Sequence, residues 1–280
     1  TAAAVSSVGA KPVFVDVDLQ TFNINIEKIE EAISKKTKAI MPVHEFGLLS
    51  EISKIISIAK KYKLFVIEDA ACALGAQELN KYSGSFGDLG SFSLHPRKAI
   101  TSGEGGVVTT NDDKIAKKIR VLRNHGLDIV NGKMDFVEAG FNYRMTDFQA
   151  SLVNSQFDEF EKALITKEKL AQVYFNEINN PIIIMPFVPL NLKHTWQTFH
   201  ILLESENKRD ELKEYLRLNG VNSNYGAQCI PHMTFYQNKY KYNSVIKFPN
   251  AYRAYTCGLA IPIHDQLTVE NIKYISKLIN

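Results

Sequence analysis

Apolar and polar positions alternate along the first half of the chain with two different periods. VFVDV (13–17) is short and β-branched, and the turn-prone DLQTFN follows it, so it predicts a strand. IEKIEEAISKK (26–36) places Ile26, Ile29 and Ile33 at helical spacing. KAIMPV (38–43) reads as a second strand. SEISKIISIAKKY (50–62) reads as an amphipathic helix with Ser50 at its N-cap. LFVIED (64–69) is a third strand that runs into two acids. This β, α, β, α, β order predicts a mostly parallel sheet wrapped by helices.

Further along, DLGSFSL (88–94) and GGVVTTN (105–111) read as short strands. DDKIAKKIRVLRNHG (112–126) reads as a helix, acidic at its start and basic later, with a terminal glycine. GFNYRMTDFQASLVNSQFDEFEKAL (140–164) begins as a turn and becomes a long helix capped by Thr146 or Asp147. Beyond about residue 165 the character changes. TWQTFHILLE (195–204) alternates like a half-buried strand, and KRDELKEYLRLNG (208–220) reads as a helix stopped by Gly220. The pattern predicts a large α/β domain over 1–163 and a smaller C-terminal α+β domain over 164–280.

Composition narrows the function. The 280 residues are 45% hydrophobic and 22% charged, with a formal net charge of only +3. The lysines are scattered among acids, which argues against a nucleic-acid face, and no apolar run is long enough to span a bilayer. Cys72, Cys229 and Cys257 are odd in number and widely spaced. They form neither a disulfide framework nor a zinc site, which leaves a reducing cytoplasm as the expected setting. No metal site is expected. GxGxxG does not follow any strand, against a dinucleotide-binding oxidoreductase.

Ligands of open parallel sheets bind off the carboxyl ends of strands. Asp69 lies at such an end, where a carboxylate can hold a protonated ring nitrogen or a metal, or cap the next turn. Lys98 follows the strand DLGSFSL and precedes the glycine-rich TSGEGG, between the hydroxyls of Ser93 and Thr101. A lysine in a walled site of this kind can lose its proton and attack a carbonyl. An Asp for a pyridinium, a Lys for an aldehyde and a Ser for a phosphate together describe a pyridoxal phosphate (PLP) site. His44 and His95 stand at strand ends near it. Glu104 is assigned to bracing its turn, Arg144 to anchoring NYRM, His125 to a helix end, and Phe86, Phe92 and Phe141 to the core.

VIEDAACALGA, GSFGDLGSFSLHPRK, TSGEGGVVTTND, LRNHG and GFNYRMTDFQA, in this order, resemble the DegT/DnrJ/EryC1/StrS family. These are PLP-dependent sugar aminotransferases with the aspartate aminotransferase fold (fold type I). The resemblance runs from GAKPVFVDVD to about residue 165 and continues more faintly to IPIHDQLTVENIKYISKLI. It implies that Lys98 bonds to pyridoxal 5′-phosphate and moves the proton between the substrate carbon and the cofactor. It implies that Asp69 pairs with the pyridine nitrogen, that Ala71 packs on the ring and that Ser93 binds the phosphate. Asn142 resembles the residue that reaches the phosphate of a neighbouring subunit, which implies a homodimer with shared active sites.

The resemblance has three departures. Cys72 stands where the family commonly has Gln or His touching the cofactor's ring hydroxyl, and thiols are poor hydrogen-bond partners, so that contact is expected to be lost or taken by water. GVNSNYGAQ (220–228) replaces a His-Tyr pair. The chain also opens on TAAAVSSVGAKP, after the position of the family's Ser-Gly-Thr phosphate motif, first strand and helix. The resemblance thus implies a piece of a longer protein, with half a phosphate cup and an exposed sheet edge. For the parent it implies amino transfer from an amino acid, glutamate by resemblance, to a nucleotide-linked keto-sugar in polysaccharide or amino-sugar synthesis. A dehydratase of the same family would carry His at position 98. The remaining alternative is a non-catalytic fragment that binds partners or oligomerises.

Overall fold

The computed structural model describes residues 1–280, the whole chain. A short helix, α1 (Ala2–Ser7), opens it. The central sheet comprises β1 (Ala39–Ile40), β2 (Phe65–Asp69), β3 (Leu89–Ser93) and β4 (Gly106–Thr109), in the order β1-β2-β3-β4. β1 runs parallel to β2, and β2 parallel to β3, as the alternating pattern predicts. β4 returns antiparallel on β3, pairing Ser93 with Gly106.

Helix α2 (Ile52–Tyr62) covers the sheet by burying Ile52, Ile55 and Ala59, three residues on one helical stripe. They pack on Ile40, Leu49 and Val66. Ser50 does not cap α2. Its hydroxyl donates to the Val43 carbonyl instead, 2.9 Å away, because the loop after β1 folds back on itself.

VFVDV forms no strand. Only an antiparallel bridge from Val17 to Ile24 forms there, because the backbone bonds locally, Asp18 N–H to the Asn23 carbonyl and Asn25 N–H to the Asp16 carbonyl, while the Asp16 carboxylate is engaged elsewhere. That carboxylate is buried and accepts the amides of Asn250 and Ala251 at 3.4 and 3.0 Å. It thereby caps the N-terminus of a distant helix, α6 (Pro249–Cys257), whose own N-cap residue, Phe248, offers no side-chain acceptor. Likewise, 26–36 yields only a 3₁₀ turn, Ile26–Lys28, and one short helix, Ile29–Ala32, ending at extended Ile33.

Asp112 caps α3 (Asp113–Leu122) by accepting from Lys114 and Ile115. A hairpin of β5 (Leu127–Val130) and β6 (Lys133–Phe136) follows. Thr146 caps α4 (Asp147–Glu177) in a capping box with Gln149. This helix runs past residue 164 and carries the chain into a second core, where Tyr174, Trp196, Phe199, Ile201 and Leu259 meet Ile272, Ile275 and Ile279. That core contains α5 (Glu206–Leu218), capped by Ser205, the antiparallel pair β7 (Phe199–Leu202) and β8 (Gly258–Ile261), and α7 (Val269–Ile279).

The sequence presents β7 as half-buried, yet all four of its residues are buried. Its second face is covered by the first half of the chain. Phe22 and Phe46 close on His200, with the Phe46 ring stacked at 4.5 Å. The two halves are also joined by backbone: Thr195 N–H donates to the Gly47 carbonyl at 2.9 Å and Thr198 N–H to that of Phe46 at 3.1 Å. Phe46 takes a left-handed φ of 57° to make this clasp. Gly47 has φ 102°, and a Cβ there would meet the Thr195 hydroxyl at 2.5 Å, so only glycine fits.

Candidate active site

The parallel pairing of β2 with β3 sets Asp69 opposite Ser91 and brings the carboxyl ends of both strands to one edge. Asp69 Oδ1 accepts the Ala71 N–H at 3.1 Å, and Oδ2 accepts the Thr1 hydroxyl. These bonds orient the carboxylate and leave it lone pairs for another donor. Ala71 therefore sits in the turn that leaves the Asp69 strand end.

Lys98 arrives from the neighbouring strand through a compact turn. His95 N–H donates to Ser93 Oγ at 3.3 Å, Arg97 N–H to His95 Nδ1 at 3.2 Å, and Lys98 N–H to the His95 carbonyl at 2.9 Å. Beyond Lys98, buried Ile100 plugs against Leu94 and Val153 of α4. Two glutamines of α4, seven residues apart and so on one face, clamp the loop. Gln156 exchanges two hydrogen bonds with the Thr101 backbone at 3.0 and 2.8 Å, and Gln149 donates to the Glu104 carbonyl at 3.0 Å. Glu104 braces its turn through that carbonyl, as the sequence suggests.

The two loops meet where Lys98 Nζ donates to Cys72 Sγ at 3.0 Å. Burial pushes the Cys72 thiol up, helped by the charge of Glu45 and opposed by Lys98. Glu45 itself, one residue after His44, has a carboxyl raised by burial and then by the charge of Asp69, with Lys98 pulling the other way. Lys98, Asp69, Cys72 and Glu45 thus form one electrostatic cluster at the sheet edge. Glu45 was not legible as a member, because its only sequence signal is its place after a strand.

His44 does not face the cluster. It is fully buried beneath it, with Nε2 donating to Glu68 Oε2 at 3.0 Å and Nδ1 accepting the Ser50 amide at 3.1 Å. Glu68 also accepts the amides of Gly84, Phe86 and Gly87 at 2.7–2.8 Å. Burial raises its carboxyl, but the His44 and glycine bonds outweigh that and leave it below the usual range. His95 remains near the site, with Nε2 4.0 Å from Glu104 Oε1.

Asn142 lies apart from these groups. It is exposed and bridges only to Asn124. Arg144 anchors the NYRM turn by donating to Asn124 Oδ1 at 2.6 Å. Phe141 is not a core residue: it is 60% exposed and stacks on exposed Tyr143 at 5.0 Å, its ring covered only by its neighbour in the turn. No group of three or more His, Cys, Asp or Glu side chains is arranged to hold a metal, and no helix is long and apolar enough to cross a membrane.

The chain matches the DegT/DnrJ/EryC1/StrS aminotransferase family over residues 1–280. It is 36% identical to GDP-perosamine synthase of Caulobacter vibrioides, covering 97% of this chain and 73% of that protein. It is 34% identical to a UDP-N-acetyl-3-dehydro-alpha-D-glucosamine 3-aminotransferase of Acidithiobacillus ferrooxidans, covering 100% and 73%. A Streptococcus pneumoniae protein solved in its PMP (pyridoxamine phosphate) form superimposes with a TM-score of 0.92 at 25% identity, covering 99% and 77%. With its lysine and aspartate at the carboxyl edge of a parallel sheet, the chain belongs to the DegT/DnrJ/EryC1/StrS family of PLP-dependent sugar aminotransferases.

Proposed function

We propose that the protein transfers an amino group from an amino acid, glutamate, to a nucleotide-linked keto-sugar, in a reducing cytoplasm and toward polysaccharide or amino-sugar synthesis. The relatives named for GDP- and UDP-linked sugars support the nucleotide linkage. Three free cysteines support the reducing compartment.

The residues at the sheet edge fit pyridoxal phosphate by the chemistry of their donors. Lys98 supplies the amine that bonds the aldehyde. Asp69 has lone pairs left for a ring N–H. Ala71 offers a face without a bulky side chain, and Ser93 offers a hydroxyl to the phosphate. When bound, the cofactor supplies an electron sink for the carbon that loses its proton. Lys98 takes and returns that proton at its Nζ. Asp69 keeps the ring nitrogen protonated through its charge. Cys72 and Glu45 are both shifted toward their neutral forms by burial.

The residues of 1–163 hold this site, and 164–280 form the smaller unit. Separate cores on the two sides support that division, which falls within α4. A homodimer with shared sites completes the reading. Its support is the exposure of large apolar side chains in this region: Ile129, Met134 and Phe136 of the hairpin and Phe141, Tyr143 and Phe148 around the start of α4. Asn142 lies between two of these residues, where it would reach the partner's phosphate.

The observation that carries the proposal is the convergence of Lys98 with Asp69 on one sheet edge. Incubation with PLP, borohydride reduction and peptide mapping should label Lys98 alone. Lys98→Ala should reduce amino transfer from glutamate to a GDP- or UDP-linked keto-sugar by a factor of about 10³ or more. Labelling scattered over surface lysines, or full activity in Lys98→Ala, would sink it.

A further inference from the structure

The Lys98 side chain has one hydrogen-bond partner in the protein, and it is sulfur. It forms no ion pair, although the charges of Asp69 and Glu45 act on the same cluster. The sulfur is set in place independently of the lysine loop. Asp69 holds the Ala71 amide at 3.1 Å, and Ala73 N–H closes a turn on the Ala70 carbonyl at 2.9 Å. Cys72 therefore projects from a turn fixed to the end of β2, toward an amine delivered from the end of β3. A thiol is a weak acceptor, and burial keeps this one protonated. A carboxylate at position 72 would hold the ammonium far more strongly.

We propose that Cys72 is a positioning residue for Lys98, holding the amine at the end of β2 through an uncharged sulfur contact that aims it and still releases it. This rests on the reading of Lys98 as the residue that bonds the cofactor. Cys72 alone touches the amine, while the charges of Glu45 and Asp69 act on the cluster, so a change confined to position 72 leaves both carboxyls in place.

The test is the rate at which PLP becomes fixed at Lys98 by borohydride, read by peptide mass, in the native protein and in Cys72→Ser, Cys72→Ala and Cys72→Val. Serine retains an acceptor and should stay within about twofold of the native rate. Alanine and valine should slow labelling at Lys98 about three- to tenfold, the scale of one modest hydrogen bond, and raise the share of label on other lysines. Valine keeps bulk at the site, so agreement between the two separates lost contact from a cavity. In turnover, kcat should fall with the labelling rate while KM for the keto-sugar holds. Alanine and valine proteins that label Lys98 at the native rate and selectivity would overturn the inference and leave the aminotransferase reading intact. A native protein unlabelled at Lys98 would overturn both.

Discussion

His44 Nε2 lies 3.0 Å from Glu68 Oε2, and both side chains are shut off from solvent. Because Nδ1 accepts the Ser50 amide, the ring proton sits on Nε2 and points at the carboxylate. The pair ties together the loop after β1, the end of β2 and the turn at 84–87. It underlies the strand end that presents Asp69, one residue along on the opposite face of the sheet.

Glu68→Ala should therefore be among the more damaging single changes. It strands three amides and an imidazole in the interior, at a cost of about 3–5 kcal/mol. Glu68→Gln keeps the shape and some of the bonds and should cost less. Urea unfolding of the two variants would check this, and equal stability in Glu68→Ala and the native protein would refute it.

Acid should weaken the fold in two stages. Burial pushes the His194 and His200 imidazoles down to about 3, with Lys167 adding to the effect at His194. The unfolded chain takes protons on these rings from about pH 6.5 downward and the folded chain refuses them, so stability falls over that range. Glu68 has the opposite charge type and the same sign of effect. Its folded carboxyl titrates below the usual 4.5, so its contribution is present above that value and is lost as pH falls through the folded range. Denaturation midpoints at pH 7, 5.5 and 4.5 should decline in order; a flat response from 7 to 5.5 would contradict the histidine stage.

Lys167 predicts a rise on the alkaline side. It is 7% exposed, and burial lowers its amine from 10.5 to about 8, with Asp265 opposing. The unfolded lysine holds its proton up to a higher pH than the folded one, so this site's penalty on folding fades as pH rises from about 8 to 10.5. Lys167→Met should stabilise the protein at pH 7 by up to about 3 kcal/mol, the equivalent of that shift. The gain should shrink by pH 10, and a gain independent of pH would assign it to packing alone.

Asp16→Ala removes the carboxylate that accepts the two N-terminal amides of α6 and pairs with Lys28 at 3.1 Å. A lost cap costs about 1–2 kcal/mol. Asp16→Asn should recover part of that, since its amide oxygen still accepts. Thermal unfolding of both variants provides the comparison, and identical midpoints for Ala and native protein would dismiss the cap.

Local pattern revealed the elements whose partners lie next to them. The stripe Ile52, Ile55 and Ala59 announced α2, and the run into Asp69 announced β2. Thr146 or Asp147 marked the start of α4, and the structure settles on Thr146. VFVDV misled because its backbone pairs locally with residues 23–25 instead of joining the sheet. TWQTFHILLE misled because its second face is covered by Phe22 and Phe46, which no window around it contains. Phe141 misled because an aromatic residue carries no record of whether a helix will cover it.

The sequence by itself determined the family and the kind of scaffold, through a motif order that includes a lysine and an aspartate at consecutive strand ends. Strand ends and hydrophobic periods are local properties, so they survive in one dimension. Only the tertiary structure decided what surrounds the lysine. Cys72 as its partner, Glu45 as a neutral-leaning neighbour, Gln149 and Gln156 as its clamps, and His44 as a buried support rather than a ligand contact all depend on distances between segments. Those distances are fixed by sheet register and packing.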